Sequence, residues 1–258
     1  GSDAIIVCGT TGESSTMDHD EHIEVIKYCV EKVAGRVPVI AGSGSNCTRE
    51  AINISKRAEE VGANGLLCVT PYYNKCTQEG LYQYYKAISD AVNIPIIMYN
   101  IPGRTGTTIQ PETAVRIAKE VKNVVAIKEA SGNISAVAKL AALADGCIDI
   151  YSGNDDQVLP ILSLGGKGVI SVWSHVAPKK VHDMVYAYLN GDTATATKLQ
   201  LEAIDVIGAL FCEVNPIPVK AAMNMLGYKA GPVRAPLTEL SDAHKELLEK
   251  ALKDYGVL

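Results

Sequence analysis

The chain has 258 residues, a formal net charge of -5 at pH 7 and 47% hydrophobic residues. A chain of this length can bury a sizeable core, and the composition is typical of a globular enzyme or binding protein. The sequence has no basic cluster and no apolar run of the roughly 18 residues that a membrane helix needs. We therefore expect neither nucleic-acid binding nor membrane insertion.

Seven cysteines are spread along the chain, most of them inside apolar segments, as at Cys8, Cys29 and Cys68. Their spacing contains no C-x-x-C pair and no zinc-binding pattern. We interpret them as small buried hydrophobic residues of a protein in a reducing compartment, and we expect a cytoplasmic location.

Apolar strands and amphipathic helices alternate along the first two thirds of the chain. Helices are predicted from about residue 18, at 48–61, at 77–91, from residue 111 and at 134–143, and four more at about 177–190, 193–211, 217–226 and 240–254. The predicted strands cover residues 4–8, 37–41, 65–70, 94–99, 124–127, 148–151 and 168–172.

Several helix ends are marked by residues with known positional preferences. Acidic residues follow Asp18 in the first turn of the first helix, where they suit the helix dipole. Thr48 is predicted to cap the second helix, and Gly62 is placed to end it. Pro111 is predicted to begin a later helix.

This alternation indicates a parallel sheet with right-handed crossovers, and it predicts an α/β fold of the TIM (β/α)8-barrel type. We expect residues 1–176 to form the barrel portion. Residues 177–258 are expected to form C-terminal helices that complete and extend the same domain. Because seven strands are counted where a closed barrel has eight, either the first βα unit is missing or the sheet is open or differently closed.

Functional groups in parallel α/β folds gather at the carboxyl ends of the strands. The strand at 124–127 ends in Lys128, and a lysine in an apolar wall loses its proton readily and attacks carbonyl carbons. A single lysine at a strand end more often points into solvent, so a site is indicated only if the other strand ends also carry reactive side chains. They carry Thr10, Thr11, Tyr73, Tyr99, Arg104, Glu129, Asn154 and Ser171.

Together these residue types suit Schiff-base chemistry on a keto acid. A tyrosine with neighbouring hydroxyls can transfer protons, and Arg104 can hold a carboxylate with two hydrogen bonds. Each residue alone has a structural explanation, such as a turn threonine, a half-buried tyrosine or a surface arginine. Their convergence on one face favours a functional site.

Other candidate motifs are weak. The sequence Gly42-Ser43-Gly44 lacks the third glycine of a dinucleotide-binding loop. His19 and His22 are three residues apart on one helix, but no third ligand accompanies them. We expect no metal site, and we interpret the histidines as solvated or as facing a partner.

Three motifs follow one another along the chain, namely Gly9-Thr10-Thr11-Gly12-Glu13, Tyr99-Asn100-Ile101-Pro102-Gly103-Arg104-Thr105-Gly106 and Ile127-Lys128-Glu129-Ala130-Ser131-Gly132. In this order they resemble the motifs of the dihydrodipicolinate synthases, which belong to the pyruvate-dependent class I aldolases. The resemblance covers essentially the whole chain. The paired threonines and the arginine are typical of the synthases, whereas N-acetylneuraminate lyases typically have a serine in the first motif and no arginine in the second.

The resemblance implies an iminium between Lys128 and pyruvate, whose enamine attacks L-aspartate-4-semialdehyde in lysine (diaminopimelate) biosynthesis. It implies that Tyr99 carries protons together with Thr10 and Tyr73, and that no metal or organic cofactor takes part. The substrate-binding positions that it implies are Thr11, Arg104, Gly153 and Ile170.

The resemblance also implies a homodimer or homotetramer, in which Tyr73 reaches the site of the neighbouring subunit. Family members normally begin with a further strand and helix, so we expect an altered oligomer and reduced activity or stability. Feedback inhibition by L-lysine is implied at Ser14, Ser15, His19, His22, Asn46, Glu50 and Tyr72.

Two alternatives stay open at this point. The chain can be another pyruvate-dependent aldolase, such as an N-acetylneuraminate lyase, which differs in the aldehyde that it accepts. It can also be a truncated, weakly active paralogue that serves as a subunit or a ligand sensor.

Overall fold

The computed structural model describes residues 1–258, and it contains one sheet of seven parallel strands in chain order. Each strand pairs only with its neighbours in sequence, as the alternating pattern predicts. The strands are β1 (Ile5–Val7), β2 (Val39–Gly42), β3 (Gly65–Val69), β4 (Ile96–Asn100), β5 (Val124–Glu129), β6 (Asp149–Ser152) and β7 (Gly168–Val169).

Twelve helices accompany the strands, and the last five follow β7. None of them combines the length and apolar character that crossing a bilayer requires. The helices are α1 (His19–Val33), α2 (Thr48–Glu60), α3 (Gln78–Ser89), α4 (Pro102–Thr105), α5 (Pro111–Glu120), α6 (Ile134–Ala144), α7 (Val158–Ser163), α8 (Pro178–Leu189), α9 (Thr193–Glu202), α10 (Ile204–Leu210), α11 (Ile217–Met225) and α12 (Asp242–Asp254).

The helix ends follow the local sequence signals, with one exception. The Asp18 carboxylate caps α1 by accepting the N–H groups of Asp20 at 3.0 Å and Glu21 at 2.8 Å, and α5 begins at Pro111 as predicted. The prediction that Thr48 caps α2 is wrong, because Thr48 is already helical and the cap residue is Cys47, which makes no side-chain capping bond.

Three short features differ from the predicted elements. The short helices α4 and α7 lie in segments for which no helix was predicted, and the helix predicted at 193–211 is divided into α9 and α10 at Ala203. The last strand, β7, has two residues instead of five. Beyond Val169 the N–H of Ile170 still donates to Ser152 of β6, whereas the N–H groups of Val172 and Trp173 donate to the carboxylate of Asp155.

The interior is divided between two apolar clusters. One contains 33 buried residues from the sheet and from α1 to α7, including Ile26, Leu66 and Ile127. The other contains 20 buried residues between positions 158 and 252, centred on Trp173. The C-terminal helices therefore share a core with α7 and with the segment that follows β7.

The sheet curls, so that residues of its first and last strands line the same cavity. In β1, Ile5 pairs with Val39, and in β7, Gly168 pairs with Tyr151. No pairing joins β1 to β7. The architecture is a curled parallel α/β sheet of the TIM-barrel type, with one gap between its two edge strands.

Candidate active site

A cavity of about 920 Å³ lies inside the curled sheet and extends outward to residues of α1 and α8, such as Cys29 and Tyr186. Residues of both edge strands contribute to its wall, so it is continuous with the gap between β1 and β7. Seven of the eight predicted catalytic and substrate-binding residues line it, namely Thr10, Thr11, Tyr99, Arg104, Lys128, Gly153 and Ile170.

Lys128 lies near the end of β5 with its amine in the cavity. Burial, assisted by the positive charge of Arg104, lowers the pKa of Lys128 to about 8, while the negative charge of Asp155 acts in the opposite direction. With a pKa of about 8, roughly one molecule in ten carries the free amine at pH 7, compared with roughly one in three thousand at the ordinary value. The side chain is therefore suited to nucleophilic attack on a carbonyl carbon.

Gly153 packs directly against the lysine stem. A Cβ at this position would lie 3.1 Å from both Cγ and Cε of Lys128, and 2.6 Å from Cβ of Ala130. The backbone is held in place because the N–H of Gly153 donates to the carbonyl of Glu129 at 2.7 Å. Only glycine at this position leaves room for the Lys128 side chain.

Tyr99 is the partner of Lys128 in the pairing of β4 with β5. The Lys128 Nζ lies 4.3 Å from the centroid of the Tyr99 ring. Burial raises the pKa of Tyr99, while Arg104 and the Thr10 hydroxyl act against this change. The phenol is therefore protonated at neutral pH, and it lies beside the amine and a second hydroxyl, as a proton-transfer group must.

Thr11 and Arg104 are joined by Asn215, a residue that the sequence analysis did not identify. The Nδ2 of Asn215 donates to the Thr11 hydroxyl at 3.0 Å, and the Arg104 guanidinium donates to the Asn215 carbonyl at 3.2 Å. Asn215 also lines the cavity and is 7% exposed. Its only signal in the sequence is the Asn-Pro pair before α11. That pair does not predict a contact with Thr11, which lies 204 positions earlier in the chain.

The loop after β1 is anchored by Glu13, which belongs to the first motif but was not predicted as a site residue. Its carboxylate accepts a hydrogen bond from Lys220 and another from the N–H of Arg234, the second at 2.7 Å. Glu13 is buried and adopts a left-handed conformation with φ of 55°. The ion pair thus fixes the turn that carries Thr10 and Thr11 to the C-terminal helices.

Glu129, beside the lysine on β5, supports the adjoining loop. Its carboxylate accepts from Nδ2 of Asn100 at 2.8 Å and from the N–H of Ser131 at 2.7 Å. The Oδ1 of Asn100 accepts the N–H of Ile109 at 3.0 Å. Because these contacts occupy the buried carboxylate, Glu129 has a structural part in the site.

Tyr73 is the one predicted catalytic residue that lies outside the cavity of this chain. It follows β3 with a φ of 70°, and its side chain is 91% exposed. Tyr72 beside it is also exposed. Within a single chain, therefore, the structure does not bring Tyr73 together with Lys128.

The seven residues predicted to bind lysine occupy several different environments. The Nε2 of His22 lies 2.8 Å from the carbonyl of Gly42, and burial lowers the pKa of the buried His22 ring. His19 is exposed at the start of α1. The remaining positions are Ser14 and Ser15 in a 3-10 turn, Asn46 and Glu50 around the start of α2, and the exposed Tyr72.

Metal-binding side chains do not converge anywhere in the structure. No group of three or more His, Cys, Asp or Glu side chains is placed to hold an ion. All seven cysteines are free, and burial raises the pKa of Cys8 to about 12.

A desolvated lysine beside a buried tyrosine, with threonines and an arginine at the strand ends of a curled parallel sheet, defines a Schiff-base enzyme of the aldolase type. Comparison with known proteins specifies the family. The chain matches the sequence model of the dihydrodipicolinate synthetase family over residues 1–255, and it belongs to that family.

Curated relatives match almost the whole chain. The 4-hydroxy-tetrahydrodipicolinate synthase of Caldicellulosiruptor bescii is 59% identical over 255 residues, which is 99% of this chain and 86% of the relative. The enzyme of the same name from Lachnoclostridium phytofermentans is 54% identical over 258 residues, covering 100% of this chain and 88% of the relative.

Solved structures agree with this assignment. Dihydrodipicolinate synthase from Thermotoga maritima superposes with a TM-score of 0.98 at 46% identity, over 100% of this chain and 88% of that one. The synthase from Cyanidioschyzon merolae with lysine bound has a TM-score of 0.97 at 42% identity, over 100% of this chain and 88% of that one. These matches confirm the resemblance that the three motifs indicate.

Proposed function

We infer that the protein is a lyase that condenses pyruvate with L-aspartate-4-semialdehyde to give 4-hydroxy-tetrahydrodipicolinate, in the diaminopimelate route to lysine. The observation that carries this inference is the desolvated Lys128 facing Tyr99 in a cavity that also contains Thr11 and Arg104. The names of the curated relatives support the same reaction. Both alternatives, a different pyruvate aldolase and a truncated, weakly active paralogue that serves as a subunit or a ligand sensor, have less support.

The reaction begins at the free amine of Lys128. The nitrogen lone pair attacks the keto carbon of pyruvate, a C–N bond forms, and the keto oxygen takes up a proton to give a carbinolamine. A second proton transfer lets this oxygen leave as water, and the nitrogen remains as a cationic iminium. We assign both proton transfers to the phenol of Tyr99, with the Thr10 hydroxyl beside it.

The Tyr99 oxygen, which gave its proton to the leaving water, then takes a proton from the methyl group, and the iminium becomes an enamine. The enamine carbon forms a new C–C bond with the aldehyde carbon of the second substrate, the iminium is restored, and the Tyr99 phenol protonates the aldehyde oxygen. Cyclisation through the amino group of the semialdehyde releases the lysine amine. In this scheme the covalent lysine adduct does the work of a cofactor, and no metal or organic cofactor is used.

Substrate carboxylates are assigned to the polar groups around the lysine. We assign pyruvate to Thr11, Gly153 and Ile170, and the semialdehyde carboxylate to Arg104. Ile170 contributes through its carbonyl, because its N–H already donates to the carbonyl of Ser152 at 2.9 Å. The guanidinium of Arg104 keeps free donors for a carboxylate after its single contact with Asn215.

Tyr73 is assigned a role in a neighbouring subunit. An aromatic side chain that is 91% exposed in a left-handed turn is suited to enter another subunit. We propose a homodimer or homotetramer in which Tyr73 completes the proton relay of the neighbouring site. Light scattering gives the oligomeric state, and Tyr73→Phe is expected to lower kcat without changing that state.

We propose that L-lysine inhibits the enzyme by binding at the seven positions named above. A crystal structure of one relative contains bound lysine, and Glu50 offers a carboxylate to an ammonium group. Because the ring of His22 already contacts the backbone of β2, we assign it to the wall of the site. An activity that stays constant up to millimolar lysine would remove this proposal.

A gap separates the two edge strands, β1 and β7. A closed barrel of this type has eight strands. We propose that one further parallel strand with its helix fills this gap and closes the barrel.

Borohydride trapping tests the proposed function. Incubation with pyruvate and borohydride, followed by peptide mass mapping, is expected to give a reduced pyruvyl adduct on Lys128. Lys128→Arg retains the positive charge but cannot form the adduct, and it is the matched control. A folded protein without any adduct would contradict the Schiff-base mechanism.

A further inference from the structure

Asp155 occupies an unusual position at the end of β6. It is 2% exposed and begins the short 3-10 turn Asp155–Gln157. Its Oδ2 accepts the N–H groups of Val172 at 2.9 Å and Trp173 at 2.8 Å. Its own carbonyl accepts a hydrogen bond from the Gln200 side chain at 2.9 Å. The residue is thus tied to the segment after β7 and to α9.

The second carboxylate oxygen has no such role. Oδ1 of Asp155 is buried without any hydrogen-bond partner. Leaving a buried polar oxygen unpaired costs about 1–3 kcal/mol, and more for a charged group. An asparagine would give the backbone N–H groups an acceptor without the cost of a buried charge. The structural contacts therefore do not explain why this residue is an acid.

The charges around Lys128 offer an explanation. Tyr99 on β4 and Tyr151 on β6 are its neighbours in the sheet, and burial raises the pKa of both phenols, so they are neutral. Arg104 on α4 adds a positive charge. Asp155 supplies the negative charge that acts on the lysine. Burial raises the pKa of Asp155, while the Ser171 hydroxyl, the two backbone N–H groups and the charge of Lys128 act against this change and favour the carboxylate.

Only Asn154 separates Asp155 from Gly153, which touches the lysine stem. The same short segment therefore carries both the glycine that makes room for the lysine and the acidic residue whose charge acts on it. The carboxylate is buried, so solvent screens its effect on the amine less than it would at the surface.

We propose that Asp155 is a positioning residue that holds the segment from Ile170 to Val172 through Oδ2 and stabilises the cationic iminium on Lys128 through its unpaired charge. The inference rests on the proposed function, because it requires an iminium at this lysine. An iminium nitrogen keeps its positive charge at every pH. In a cavity that already contains Arg104, that charge needs an anion nearby.

Asp155→Asn tests this role, because it removes the charge while keeping the shape and an acceptor for the two N–H groups. The loss of a nearby charge destabilises the iminium and the ammonium form of Lys128 alike. Well above pH 8, where the free lysine is a neutral amine, only the iminium is affected. We therefore expect the half-saturating pyruvate concentration in borohydride trapping to rise about tenfold there, the equivalent of one pKa unit.

Well below pH 8 the result differs, because the free lysine is then an ammonium ion that the substitution destabilises as much as the iminium. The half-saturating pyruvate concentration is expected to stay within about twofold of wild type there. The pH at which the trapping rate is half-maximal is expected to move down by about one unit. A purely structural displacement of the loop would weaken trapping equally at every pH.

Asp156→Asn is the matched control, since it removes the same charge from the neighbouring, exposed residue. It is expected to leave the trapping profile unchanged. Asp155→Ser is a second neutral variant in case Asp155→Asn does not show a native circular dichroism spectrum. A loss of affinity that does not depend on pH, an unchanged profile, or failure of both variants to fold would overturn the proposal. Absence of trapping in the wild-type protein would instead contradict the proposed function itself.

Discussion

A methyl group added at Gly153 would intrude on the reacting lysine. In Gly153→Ala the new Cβ would lie 2.6 Å from Cβ of Ala130, which is 0.8 Å inside the 3.4 Å at which ordinary contact begins (3.4 − 2.6 = 0.8). The Lys128 stem, at 3.1 Å, is 0.3 Å inside the same limit (3.4 − 3.1 = 0.3). The Ala130 contact involves two Cβ atoms fixed to the backbone, so the backbone must move, and the Lys128 stem must also shift.

Overpacking of this kind costs about 1–3 kcal/mol of the free energy of unfolding. The effect on the reaction is expected to be larger, since a shift of about 1 Å in a reacting group can cost on the order of 100-fold in rate. We therefore expect Gly153→Ala to retain its fold, to lose about 1–3 kcal/mol of stability and to lose on the order of 100-fold in kcat.

Urea unfolding measures the stability, and a coupled assay with both substrates measures kcat. Gly103→Ala is the matched control, because its Cβ would meet no atom within 4 Å although the residue lies in α4 beside Arg104. That variant is expected to stay close to wild type in both measurements. If Gly153→Ala kept the wild-type kcat and a stability within about 0.5 kcal/mol of wild type, the close packing of glycine against lysine would not matter and the reasoning would be refuted.

Three further predictions concern charge. The rate of borohydride trapping with pyruvate is expected to rise with pH through about 8, as the free amine of Lys128 appears, and a rise centred near the ordinary lysine value would contradict the desolvated site. Lys220→Met is expected to lower the free energy of unfolding by about 3–5 kcal/mol, because it leaves the buried carboxylate of Glu13 without its ion-pair partner. Adding Glu13→Gln is expected to recover part of that loss. Additive losses of stability in urea unfolding would contradict the pairing. Hydrogen bonds from His244 and Ser241 lower the pKa of Glu213 to about 2. The stability that Glu213 contributes is therefore present above the pKa of Glu213 in the unfolded chain, and it is lost as the pH falls toward 2. Urea unfolding of Glu213→Gln should accordingly approach that of wild type on acidification, and a stability difference independent of pH would refute this assignment.

Much of the site could be predicted because it depends on local sequence and on one rule of topology. Short apolar strands with polar residues at their ends locate Thr10, Tyr99 and Lys128 along the chain, and parallel strands bring their carboxyl ends together. Gly153 and Asp155 follow the same rule, since both come directly after β6. A systematic search of strand ends for acidic residues would have identified Asp155 beforehand.

Other parts of the site depend on contacts between distant segments. Asn215 meets Thr11 across 204 positions, and Lys220 meets Glu13 across 207. No periodicity or spacing in the helical tail indicates which of its polar residues face the sheet. Their roles were decided only when α11 packed over the loop after β1.

The sequence by itself determined the order of strands and helices, the parallel sheet and the identity of the reacting lysine, because each follows from the pattern of apolar residues and from short motifs. The tertiary structure decided the rest. It ended β7 at Val169, beyond which the N–H groups of Val172 and Trp173 pair with a carboxylate from the preceding loop. It directed Tyr73 outward through a left-handed backbone conformation. Above all, it desolvated Lys128, because burial is a property of the packed barrel that the residue's neighbours in sequence cannot supply.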